Sequence, residues 1–110
     1  MSGSFGDREK AFESKWAHDE ELRFKIVARR NKLLGLWAAE QMGLNGEAGA
    51  DYAKTVVQAD FLEPGHEDVV RKIQKDFESR GVARTHHAIR LKMEELLAVA
   101  ADQIQRETGK

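Results

Sequence analysis

The stretch ARRNKLLGLWAAE, residues Ala28 to Glu40, decides how the chain folds. Its first half carries Arg29, Arg30 and Lys32, and its second half packs Leu33, Leu34, Leu36, Trp37, Ala38 and Ala39 together. Leu33 and Trp37 stand four residues apart, as do Leu34 and Ala38, so a helix here presents a broad apolar stripe. Gly35 costs roughly 1 kcal/mol against alanine in a helix, and its presence implies that another helix approaches closely at that point. This helix is the spine of a small bundle.

Working outward, the stripe extends back through Leu22 and Ile26 and forward to Met42, where Gly43 supplies a stop. Asp19 is placed to cap the helix, with Glu20 and Glu21 in the first turn, where the helix dipole favours negative charge. Asn45 to Gly49 reads as a loop. Tyr52, Val56 and Ala59, followed by Phe61 and Leu62, mark a shorter helix closed by Glu63–Pro64–Gly65. Val69, Val70, Ile73 and Phe77 hold the spacing of a core face, and Gly81 ends that third helix. Thr85 is a suitable N-cap for a fourth, in which Ile89, Met93, Leu96, Leu97, Ala100 and Ile104 keep helical period. The expected helices therefore run over about 19–42, 50–62, 66–80 and 85–106, an all-α four-helix bundle spanning 18–110.

Composition agrees with that class. The chain has 110 residues, 41% hydrophobic and 34% charged, which suits a small soluble helical domain better than disorder. The only proline is Pro64, and strand-type alternation is lacking. With 18 basic and 19 acidic residues, the charge balance is not that of a nucleic-acid binder. No run approaches the roughly 18 apolar residues of a membrane span, and no signal peptide is visible. A cytoplasmic address is expected. With no cysteine, disulfides and thiol catalysis are excluded.

The N-terminal segment differs from the rest. Between Asp7 and Glu21, three bases stand against six acids, with Phe12 and Trp16 one helical turn apart. Its apolar stripe is narrow, and so short a helix is marginal in water without a packing partner. Residues 1–17 are thus expected to form a mobile arm, partly helical alone and fully helical when docked. Packing back onto the bundle is the plain reading of the two aromatics. Insertion into a hydrophobic groove on a partner is the sharper one, favoured because the segment lacks the aliphatic residues of a core helix.

Catalytic constellations are not evident, and an enzyme is not expected. Adjacent His86 and His87 point about 100° apart on a helix, so they cannot chelate one ion as an i, i+4 pair could. His66–Glu67–Asp68 reads as an acidic helix start, and no metal site is expected. Gly-rich phosphate loops are also lacking. The one local basic excess joins Arg23 and Lys25 to Arg29, Arg30 and Lys32. A solvated helix face is its plain reading. The functional reading is an anion or nucleotide contact through Arg29, Arg30 and Lys32, with forked arginine bonds to phosphate or carboxylate.

The runs DREKAFESKWAHDEELRFK and ARRNKLLGLWAAEQMG, with DYAKTVVQADFLEPGHEDVVRKIQKDF and IRLKMEELLAVA, resemble the ζ subunit family. These are the ATPase inhibitors of alphaproteobacterial F-type ATP synthases, and the resemblance covers nearly the whole chain. It implies a four-helix protein whose N-terminal segment folds as it enters an alpha/beta catalytic interface of the F1 head, next to the gamma rotor. There it blocks rotation in the direction of ATP hydrolysis while permitting synthesis. Carried onto this chain, the inhibitory segment is about Ser2 to Ala17. Asp7, Arg8, Glu9, Phe12, Lys15 and Trp16 match the family pattern, and with Phe5 they form the expected contact set.

The partners implied are the alpha, beta and gamma subunits, with the free protein monomeric and peripheral to the membrane-bound enzyme. No cofactor is implied beyond weak ADP or ATP binding at the basic cluster. Two other readings stand beside inhibition: a small helical nucleotide sensor, and an assembly factor for the synthase that docks without inhibiting. His18, beside Asp19 at the junction of arm and bundle, is a candidate pH switch.

Overall fold

The computed structural model describes residues 20–60 and 67–108, and these form four helices. They are α1 (Glu20–Gln41), α2 (Gly46–Ala59), α3 (Glu67–Ser79) and α4 (His86–Thr108). The fold is the all-α four-helix bundle expected from the sequence. The expected N-terminal arm and its proposed cap Asp19 lie outside the described residues.

Helix α1 is the spine because it packs against all three other helices and most extensively against α2 and α4. Two apolar clusters share it. The larger gathers Leu34 and Ala38 of α1 with Val56 of α2, Val69, Val70, Ile73 and Phe77 of α3, and Ile89 and Met93 of α4. The smaller sets Ile26 of α1 against Leu97, Ala100, Ala101 and Ile104 of α4. Helix α1 thus joins both clusters, the smaller with α4 alone and the larger with α2, α3 and α4.

Gly35 does what its position implied. A Cβ added there would lie 2.6 Å from the Cα of Ala53 and 3.2 Å from the Cβ of Val56. Helix α2 therefore crosses α1 with backbone against backbone, and only glycine leaves room for it.

Both turn glycines end their helices in the same way. Gly43 takes φ 78° and Gly81 φ 73°, conformations open to glycine at little cost. Beyond each, a hydrophobic residue donates its N–H back into the last turn, Leu44 to the carbonyl of Ala39 and Val82 to that of Phe77, both at 2.8 Å. At the start of α4, the Thr85 hydroxyl accepts the N–H of Ala88 at 3.0 Å, the expected cap.

The second helix departs from the expectation of 50–62. It starts at Gly46, inside the stretch read as a loop, and ends at Ala59. Gly46 and Gly49 resemble loop residues by composition alone. Gly46 takes φ 56° to turn the chain into the helix. Gly49 is buried in the first turn, where a Cβ would lie 3.0 Å from the Leu44 carbonyl oxygen. Close packing, not chain flexibility, accounts for the second glycine.

A polar link fastens α2 to α3. The Tyr52 hydroxyl donates to Asp76 at 2.7 Å, and the Lys72 ammonium pairs with the same carboxylate at 3.0 Å. Lys72 also lies 5.1 Å from the centre of the Tyr52 ring. Burial, then the bond to Asp76, pushes the Tyr52 phenol far above its ordinary pKa, so it stays a donor.

Candidate functional site

The structure parts the three cations that the sequence grouped. Arg29 turns toward α4, where one guanidinium nitrogen donates to Gln103 at 2.8 Å and to Glu107 at 2.9 Å. The other reaches the second Glu107 oxygen at 3.0 Å, completing a forked pair. Arg30 turns inward instead. It is 3% exposed, and its Nε donates to Asn31, itself 1% exposed, at 2.8 Å. Lys32 faces solvent.

The hydrogen bond from Arg29 holds the Glu107 carboxyl below the usual glutamate range against an opposing desolvation, with the fields of Arg29 and Lys32 adding to the lowering. A carboxyl with a depressed folded pKa contributes its stability above the unfolded pKa and loses it as pH falls through the folded one. The link between α1 and the end of α4 is therefore complete at neutral pH and weakens only in acid. Thermal unfolding of the wild type should lose stability in that acid window. Arg29→Gln should be less stable at neutral pH and show a shallower acid loss.

Arg29 and Lys32 meet again at a groove between α1, α2 and the end of α4, with a volume of about 810 Å³. Its apolar walls include Ala28 and Leu36 of α1, Val57 of α2 and Ile104 of α4. Lys25 joins the α1 side and Lys54 the α2 side. Sequence reading missed Lys54 because no local pattern ties it to the α1 cluster; only the crossing at Gly35 brings α2 alongside.

The expected contact residues Phe5, Asp7, Arg8, Glu9, Phe12, Lys15 and Trp16 lie outside the described residues, as does His18. His86 opens α4, its Nε2 lying 3.7 Å from Glu67, which also pairs with Arg90. Among the described residues, no group of three His, Asp or Glu side chains could hold a metal ion. None of the described helices is long and apolar enough to cross a membrane.

The described residues thus form a small all-α bundle with an apolar groove edged by Lys25, Arg29, Lys32 and Lys54, and by Glu107. The more particular assignment comes from comparison. The family model for ATPase inhibitor subunit zeta matches residues 1–103, and the chain belongs to that family. The match includes the N-terminal segment as well as the bundle. Among solved structures, a solution NMR structure is similar at 48% identity and a TM-score of 0.71, the match covering 78% of this chain and 98% of that one. No curated protein matches the chain. The family is one of inhibitor subunits, regulatory rather than catalytic, and its name implies an ATP synthase as partner.

Proposed function

We propose that this protein is the inhibitor subunit of an F-type ATP synthase, working through residues 2–17 at the F1 head. The segment enters an alpha/beta catalytic interface beside gamma, folds there, and blocks rotation in the hydrolysis direction while allowing synthesis. The observation that carries this reading is the family match, which begins at residue 1 and so takes in the arm. The physical case agrees with it. A charged segment with Phe12 and Trp16 one turn apart has two aromatic anchors, and such residues dominate the affinity of most interfaces. The ordering of the segment on binding lowers net affinity, which suits a reversible brake. The bundle then remains outside as a stop, at the cytoplasmic face of the membrane-bound enzyme.

The test is inhibition of the cognate F1 by single variants of the arm. Trp16→Ala and Phe12→Ala should each raise the concentration for half inhibition by roughly tenfold or more, the range of an interface hot spot. Unchanged inhibition by both would remove the aromatic anchors from the account. A second reading, weak ADP or ATP binding at the basic cluster, is favoured by Arg29 and Lys32 sharing one groove. Titration with ADP tests it through shifts of the α1 amide signals.

A further inference from the structure

The groove beside α1 carries a charge unlike that of the whole chain. Among the described residues that line it, Lys25, Arg29, Lys32 and Lys54 stand against Glu107 alone, in a chain of net charge −1. Glu107 is already held in the forked pair with Arg29. Lys25 meets Glu21 at 3.9 Å, an exposed pair of the kind that contributes little. Neither Lys32 nor Lys54 makes a hydrogen bond or ion pair with another described residue, and both are exposed. The lysines therefore leave positive potential along the groove.

Apolar surface collects in the same place. Of the four large hydrophobic side chains exposed among the described residues, Phe24 and Leu36 both line this groove, at 58% and 38% exposure. Ala28 of α1 and Val57 of α2 extend the apolar surface. An exposed apolar strip rimmed by charge marks a surface that another protein covers.

The spacing of the cations selects the kind of partner. Lys25 and Lys32 are seven residues apart, two turns and about 10 Å along one face of α1. Lys54 stands on the other helix, α2. A phosphate group draws its cations to one point, whereas these are strung along the groove on both helices. Carboxylates one turn apart on a helix are strung out in the same way. Phe24 and Leu36 bound a stretch of about 18 Å, room for about three turns of an amphipathic helix.

We infer that this groove seats an acidic amphipathic helix of the F1 head, its apolar face on Leu36 and Val57 and its carboxylates toward Lys25, Lys32 and Lys54. Resting on the proposed inhibitory role, this gives the bundle a contact of its own with the enzyme, separate from the segment that inhibits.

The test compares full-length chains for binding to cognate F1 lacking its own inhibitor, by surface plasmon resonance, with hydrolysis followed in parallel. Lys32→Glu combined with Lys54→Glu should weaken binding roughly tenfold and flatten its dependence on salt. Leu36→Gln should weaken binding by roughly threefold to tenfold and leave the salt dependence as it is. Lys75→Glu combined with Arg80→Glu makes the same change of charge at exposed residues outside the groove, and should keep the wild-type affinity. Circular dichroism checks that each variant is folded. Wild-type affinity in the groove variants overturns the inference, as does an equal loss in the control pair. It is also overturned by a wild-type dimer, seen by sedimentation without F1, that the Lys32 and Lys54 changes dissociate, because a second copy would then be the occupant. A wild type that binds F1 but leaves hydrolysis running removes the inhibitory role alone, and the comparison of affinities still decides the groove. A wild type that does not bind F1 overturns both.

Discussion

Replacing Phe77 by alanine should lower the stability of the bundle by about 3–5 kcal/mol. The ring is wholly buried, packed with Leu34, Val56, Val70, Ile73 and Ile89, residues from all four helices. It also meets the edge of Trp37 at a centroid distance of 5.8 Å and an interplanar angle of 67°. Truncation removes the apolar transfer energy and leaves a cavity where all four helices converge, so no single element can collapse to fill it. A domain of this size has about 5–15 kcal/mol in total, so much of its stability goes. Urea unfolding should show a lower midpoint with the slope of the transition kept. A shift under 1 kcal/mol would place the ring outside the core.

Gly35→Ala should destabilise by about 1–3 kcal/mol, against the direction of helix propensity. In an open helix the same change would gain roughly 1 kcal/mol. Here the new methyl would sit 2.6 Å from the Cα of Ala53, a backbone atom that yields only if α2 moves as a whole. The crossing of α1 and α2 would widen, and the groove beside it would change with it. Thermal unfolding followed by circular dichroism decides the sign. A rise in the midpoint would mean that the two helices are not in backbone contact.

These two sites also show what the sequence made legible. Phe77 stood in a stripe with Val69, Val70 and Ile73, and all four are buried, because a helix with one apolar face reveals that face by its period. Gly35 signalled a close approach because a glycine inside a strong helical pattern needs a packing reason. The stops at Gly43 and Gly81 and the cap at Thr85 were equally local, and the structure places each as expected. Where the cause was tertiary, the reading failed. Gly46 and Gly49 passed for a loop because the Leu44 carbonyl that crowds Gly49 leaves no mark in the sequence.

The candidate site divides in the same way. Arg30 reads as a surface cation by type, yet the buried row of α1 runs Ile26, Arg30, Leu34 and Ala38, and Asn31 beside it accepts from the guanidinium. A buried arginine needs polar partners inside the protein, Asn31 supplies one, and residue type gives no hint of it. Arg29 was read as a forked binder of carboxylate, and it is one, though its carboxylate belongs to Glu107 of the same chain. Lys54 came to the groove from a different helix. The family, by contrast, was legible from long runs spread over the chain, and the match over 1–103 bears it out.

The central claim is that this chain restrains ATP hydrolysis through its arm. The most direct measurement is the hydrolysis rate of cognate F1 lacking its own inhibitor, with the full chain and with a version beginning at His18. The account predicts that the full chain inhibits, and that the shortened chain does not inhibit at any concentration at which it remains folded. Equal inhibition by both would contradict it, moving the brake from the arm to the bundle.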